Sequence, residues 1–104
     1  MYARGVSIHL RQKTGRQFAE ALERDVLPML RRQNGFKDEI SFVATDRDEA
    51  LAISLWERQE DADAYHRDVY PRMLKSLAHV VAGTPRVETY EVSTSTFHRI
   101  GSEN

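Results

Sequence analysis

A five-residue phrase occurs twice in this chain with one substitution: Arg24-Asp25-Val26-Leu27-Pro28 and, 43 residues later, Arg67-Asp68-Val69-Tyr70-Pro71. The same offset sets Ala19, Ala21 and Leu22 against Ala62, Ala64 and Tyr65. A repeat at fixed spacing implies one structural unit used twice. Each phrase lies in a helix-period apolar pattern and is followed, past a Gly, by a strand-like run. Each unit is therefore expected to be strand, helix, strand. At 104 residues the chain is expected to be a single domain, residues 1–104, with one core.

Val6, Ile8 and Leu10 alternate with Gly5, Ser7, His9 and Arg11, the period-2 pattern of a first strand. Thr14 and Gln17 have the spacing of a capping box, and Phe18, Leu22, Val26, Met29 and Leu30 then recur at helical spacing. This predicts a helix from about Gly15 to Gln33, stopped by Asn34-Gly35. Ile40, Phe42 and Ala44 form a second alternation, and Asp46 to Glu49 a short polar turn into Leu51, Ile53 and Leu55. Two strands joined so briefly are antiparallel neighbours. A second helix is predicted from about Gln59 to Ala82, ending at Gly83-Thr84-Pro85. Val87, Tyr90, Val92 and Ser93 to Thr96 read as the fourth strand, with Phe97 to Asn104 as a tail.

Two such units joined by a tight hairpin predict an α+β, ferredoxin-like βαββαβ sandwich: a four-stranded antiparallel sheet with two helices on one face. Val43 and Trp56 are opposite in parity to Ile40/Phe42 and Leu51/Ile53/Leu55, which places them on the uncovered face. A sheet apolar on both faces predicts a homodimer that packs sheet against sheet. The prolines of the repeated phrase fall inside the predicted helices, where each removes a donor and frees the carbonyl of Arg24 or Arg67. A kink is expected in each, with Asp25 or Asp68 capping the resumed helix. The freed carbonyls could otherwise border a pocket.

Lys plus Arg number 15 and Asp plus Glu 16, interspersed, for a formal net charge of -1. That balance gives no footprint for nucleic acid or an anionic membrane. With no cysteine there is no disulfide, zinc-thiolate site or thiol nucleophile. No window is long and apolar enough to span a bilayer, and Met1 to Val6 do not resemble a secretory signal, so a cytoplasmic protein is expected. No phosphate loop, His-Glu-x-x-His helix or Gly-x-Ser-x-Gly elbow is present.

The histidines are scattered at His9, His66, His79 and His98, which predicts no metal site. His66 follows Tyr65, lies three residues after Asp63 and four before Tyr70, and is a candidate base with Asp63 orienting its ring. A solvent-facing helix position is its plain alternative. His9 shares a strand face with Ser7, and the pair could move a proton within a pocket. Trp56, the only tryptophan, ends the third strand and is either a wall for a planar ligand or core. Tyr65, Tyr70, Tyr90 and Met73 could extend such a wall, or equally belong to the core.

The duplicated βαβ, the strand end Ala52-Ile53-Ser54-Leu55-Trp56-Glu57 and the helix opening Glu60-Asp61-Ala62-Asp63-Ala64-Tyr65 resemble an antibiotic biosynthesis monooxygenase domain of the dimeric α/β-barrel superfamily. The resemblance implies a homodimer with a pocket between sheet and helices. Members of the superfamily include cofactor-independent oxygenases of polycyclic phenols and haem-degrading enzymes. The haem-degrading members carry an Asn, a Trp and a haem-ligating His where this chain has Ser7, Tyr65 and about Lys75, so haem is not implied. The phenol oxygenases carry an Asn and a Tyr where this chain has Ala52 and Ala62; only Trp56 is shared. The expectation is a dimeric domain, without cofactor, binding a small planar or apolar compound. It would be a monooxygenase with His66 or His9 as base and Trp56, Tyr65, Tyr70, Ser7 and Met73 around the ligand. The alternative is a non-catalytic ligand-binding or protein-interaction dimer.

Overall fold

The structure is a computed structural model that describes residues 1–100. Its four strands are β1 (Tyr2–Leu10), β2 (Phe36–Ala44), β3 (Glu49–Trp56) and β4 (Val81–Glu91). They form one antiparallel sheet in the order β2-β3-β1-β4. Between β1 and β2 lie α1 (Gly15–Ala21), a π-helical turn (Leu22–Val26) and α2 (Leu27–Leu30). Between β3 and β4 lie α3 (Gln59–Asp68) and α4 (Tyr70–Ser76). This is the ferredoxin-like βαββαβ arrangement expected from the duplication.

Val6, Ile8 and Leu10 are buried beneath the helices with Phe18, Leu22, Val26, Leu30, Tyr65, Met73 and Leu77. The β1–β3 register pairs Val6 with Ala52 and Arg4 with Ser54, so the even-numbered residues of β3 share that covered face. Trp56 is fully buried there, and Val43, paired with Ala50, packs against the same core. The expected parity is therefore reversed. Val43 and Trp56 are on the helix side, and Ile40, Phe42, Leu51, Ile53 and Leu55 are on the open face. Small residues at covered positions, Ala50, Ala52 and Ser54, leave room for the large helix side chains. The longer aliphatics of β3 are thereby turned outward.

Each proline occupies the first turn of a new helical segment, Pro28 in α2 and Pro71 in α4. There its missing N–H would have had no intrahelical partner. The first helix stays continuous by widening into the π-turn; the second breaks at Val69 (φ -119°, ψ -41°). The expected Asp caps do not form. Asp25 pairs instead with Arg24 (2.9 Å) and Asp68 with Arg67 (2.9 Å). The Thr14 capping box is also absent, because the Thr14 hydroxyl donates to the Arg11 carbonyl at 2.7 Å.

The second helix stops at Ser76, short of the expected Ala82, and Val81 already pairs with Leu10. Two adjacent β-branched residues, Val80 and Val81, are both buried, and burial along β1 wins over another helical turn. Gly83-Thr84-Pro85 consequently forms a bulge inside β4, between the Ser7–Arg86 and His9–Ala82 pairs. At the other end β4 stops at Glu91 opposite Tyr2, and Ser93 to Thr96 are irregular. They pair with no strand among the described residues. The first helix ends at Leu30, short of the expected Gln33, and Asn34-Gly35 falls in the turn that leads into β2, with Gly35 at φ +78°. A Cβ there would overlap the Asp61 carboxylate.

Candidate functional site

A polar row crosses the covered face of the sheet. The register aligns Glu39 with Ser54, Ser54 with Arg4, and Arg4 with Thr89. Helices lie over this row, and between them and the sheet is a cavity of about 50 Å³. Its polar lining is Arg4, Glu39, Ser54, Tyr65 and Tyr70; Val6, Ile8, Leu22, Leu30 and Met73 are among its apolar walls. That volume holds about one or two waters. The π-turn contributes Leu22 and Val26, and the residue after the Val69 break is Tyr70. Both helix interruptions thus border the cavity.

Arg4 is at the centre of the row and only 3% exposed. It was absent from the sequence-based candidates. Its guanidinium lies over the Tyr70 ring (4.2 Å to the centroid) and near that of Tyr65 (5.1 Å), a cation–π sandwich that partly offsets desolvation. Nη2 donates to His66 Nδ1 at 2.9 Å, which makes Nε2 the protonated nitrogen of the neutral ring. Among the described residues, Arg4 Nε and the Tyr70 hydroxyl are buried without hydrogen-bond partners. No carboxylate of the described residues lies within salt-bridge distance of Arg4.

Burial dominates the titration of this cluster. It pulls the Arg4 guanidinium below its ordinary value, though an arginine remains cationic. The Tyr65 phenol is pushed up to about 12 and Tyr70 is raised, in both cases by desolvation. Half-buried Glu39 is raised for the same reason, an effect opposed by the hydrogen bond from Ser41. The cavity therefore joins a fixed cation to a carboxyl that takes up protons more readily than an exposed one.

The sequence-selected residues divide between the two faces. Tyr65, Tyr70 and Met73 line the cavity. His66 stands at its exposed side, stacked on Tyr70 (5.3 Å, 21°) and held by Arg4, 62 residues away, in place of the expected Asp63. Trp56, expected as a ligand wall, is one layer back. It packs on Tyr65 (5.2 Å) and Phe36 (5.6 Å) and donates its indole N–H to Ser54 Oγ at 2.9 Å. Ser7 and His9 are elsewhere, because their odd parity on β1 turns them to the open face. There they line a broad concavity of about 570 Å³ with Phe42, Leu51 and Glu49. His9 Nδ1 lies 4.0 Å from Glu49 Oε2. Tyr90 is also on that face and 56% exposed.

Arg4, Glu39 and Ser54 were legible in part. Arg4 is in phase with Val6, Ile8 and Leu10, so an arginine on a buried stripe was the available signal. Glu39 needed the register between β2 and β3. Among the described residues no three His, Cys, Asp or Glu side chains gather as metal ligands, and no helix is long and apolar enough to cross a membrane.

No family model matches the sequence, and no curated protein matches it. Solved structures do match the fold. A monooxygenase from Streptomyces coelicolor, solved in complex with nanaomycin D, superposes with a TM-score of 0.76 at 14% identity, covering 90% of this chain and 88% of that one. A cofactor-independent oxygenase from Streptomyces nogalater gives 0.72 at 13% identity, covering 91% and 95%. A candidate antibiotic biosynthesis monooxygenase from Nitrosomonas europaea gives 0.71 at 17% identity, covering 88% and 98%. What this chain shares with them is the ferredoxin-like fold of the antibiotic biosynthesis monooxygenases.

Proposed function

We propose that this chain is a dimeric domain of the antibiotic biosynthesis monooxygenase type. It binds a small planar or apolar compound between its helices and its sheet. The observation that carries this reading is the cavity: apolar walls meet convergent polar groups directly beneath two interrupted helices. Its volume of about 50 Å³ is too small for a fused-ring compound as it stands. Binding therefore parts the helices at the π-turn and at Val69, where fewer regular helical hydrogen bonds resist opening.

The polar lining favours turnover over simple binding. Ionisation of an anthrone-type substrate leaves an enolate whose oxygen a buried guanidinium stabilises. The enolate carbon passes electrons to O2; one oxygen atom ends on that carbon and the other leaves as water. Fold neighbours that include a cofactor-independent oxygenase support this reading. The test is oxygen uptake and Trp56 fluorescence with anthrones and quinols. Ala52→Leu, which fills the cavity from the sheet side, should abolish both responses while leaving the circular dichroism unchanged. Uptake and quenching that survive in Ala52→Leu would place any activity outside the cavity and remove the proposal.

The dimer rests on the open face. Ile40 (54% exposed), Phe42 (50%) and Leu51 (37%) adjoin Ile53 through the Ile40–Ile53 and Phe42–Leu51 pairs, a contiguous apolar surface of the kind that marks interfaces. Light scattering should give about twice the 12.0 kDa chain mass, and Phe42→Glu should return the mass to one chain. A wild-type monomer at micromolar concentration would contradict the dimer.

A further inference from the structure

We infer that the compound held in this cavity is an anion, its charged oxygen seated on Arg4 Nε and the Tyr70 hydroxyl. The inference rests on the reading of the cavity as a ligand site and specifies the chemistry of the ligand. A guanidinium carries five N–H donors and no acceptor. At Arg4, Nη2 is directed to His66 and Nε has no partner, although the residue is 97% buried, being 3% exposed. A buried donor without an acceptor is costly. A buried cation without a counter-charge is costlier still, and cation–π contact with two tyrosines offsets only part of that cost.

Tyr70 lines the same cavity, and its buried hydroxyl lies within reach of the Arg4 guanidinium and has no other partner among the described residues. A buried cation and a neighbouring hydroxyl at one cavity, with no carboxylate paired to them, specify an acceptor that carries negative charge. The cavity's one carboxyl, Glu39, does not supply it. Glu39 is separated from Arg4 by Ser54, two strand spacings or about 9.5 Å between backbones, and its recorded partner is Ser41. The walls flanking the donors are aromatic and aliphatic, so the anion sits on a planar apolar body. A carboxylate and an ionised ring hydroxyl share this chemistry.

The probes are 2-naphthoate, its neutral isostere 2-naphthamide, and 2-naphthol, titrated into the full chain at pH 7. The readouts are calorimetry and the 15N-edited NMR signal of the Arg4 Nε–H group. Naphthoate should bind at least about tenfold more tightly than naphthamide, as expected of a charge-assisted hydrogen bond, and should shift the Arg4 Nε–H resonance. Naphthol should either bind like the amide, which assigns the anion as a carboxylate, or bind tightly with the absorbance of the naphtholate, which assigns an ionised hydroxyl. Both Arg4→Gln and the milder Tyr70→Phe should reduce the preference for the acid, and Tyr70→Phe keeps the ring that packs on Arg4. Equal affinity for acid and amide without tight binding of the naphtholate, or an Nε–H signal unmoved by the probe that binds, would overturn this inference and leave the ligand site standing. Failure of all three probes to bind would remove the ligand site itself.

Discussion

The two copies of Arg-Asp-Val-x-Pro solve the same local problem differently. Both place the proline in the first turn of a new helical segment, and both pair the Arg and Asp side chains with each other in solvent. The first copy keeps its helix continuous through a π-turn, and its variable residue, Leu27, packs against the core edge. The second copy breaks at Val69. Its variable residue, Tyr70, spans His66 and Arg4. One mismatched residue thus separates a structural copy from the copy beside the polar cluster, and the shared residues merely maintain the bend. Identical phrases in a duplicated chain fix geometry; the divergent position carries the chemistry.

The largest expected difference lies at the glycines that follow the copies. Gly35 and Gly83 both have positive φ, +78° and +74°, but a Cβ at Gly35 would strike Asp61 whereas Gly83 faces open space. Gly35→Ala should cost about 3 kcal/mol by denaturant unfolding, combining backbone strain with a displaced carboxylate. Gly83→Ala should cost about 1 kcal/mol, the strain alone. Equal costs would mean that the contact with Asp61 does not constrain the turn.

Exchanging the divergent residue should have an intermediate effect. Tyr70→Leu makes the second copy match the first and removes one ring from Arg4 and the stack on His66, at about 1–2 kcal/mol. The converse Leu27→Tyr, at a half-buried site away from Arg4, should change stability by less than about 0.5 kcal/mol. Comparable losses from both would show that Tyr70 acts as ordinary core.

The smallest effect is electrostatic and should be equal in the two copies. The Arg24 and Arg67 side chains hold Asp25 and Asp68 below the ordinary carboxylate range, chiefly by hydrogen bonding. A depressed carboxyl contributes stability that is present above its unfolded pKa and lost as pH falls through the folded one. Asp25→Asn and Asp68→Asn should therefore each lower the melting temperature slightly at pH 7, and the difference from wild type should vanish in acid. It should also shrink in 1 M salt, because both pairs are solvent-exposed. An effect at only one site would break the equivalence of the copies.

Much of the fold could be read from particular residues. The alternation of Val6, Ile8 and Leu10 and the turn at Asn34-Gly35 depend on interactions within a few residues, so local sequence encodes them, and the repeat is read directly from its two phrases. The end of the second helix was misplaced because Val80 and Val81 fit helix and strand equally well by pattern. The pairing of Val81 with Leu10 of β1 decides the matter. The site was less legible. Tyr65, Tyr70 and Met73 are part of it, but His66 owes its orientation to a residue on another element, and the partners of the Arg4 side chain all lie more than 60 residues away in sequence.

The sequence by itself determined a duplicated βαβ chain, two bent helices and a sheet apolar on both faces, since periodicity and turn chemistry act along the chain. Which face the helices would cover was decided only by the tertiary structure. Alternation marks two sets of side chains without saying which is inside, and cross-strand register with helix packing makes that choice. The same choice carried Trp56 into the core, turned Ser7 and His9 to the open face, and enclosed Arg4 beneath two tyrosines. A charge's environment is set by what closes over it, and no residue adjacent to Arg4 in sequence takes part in that closure.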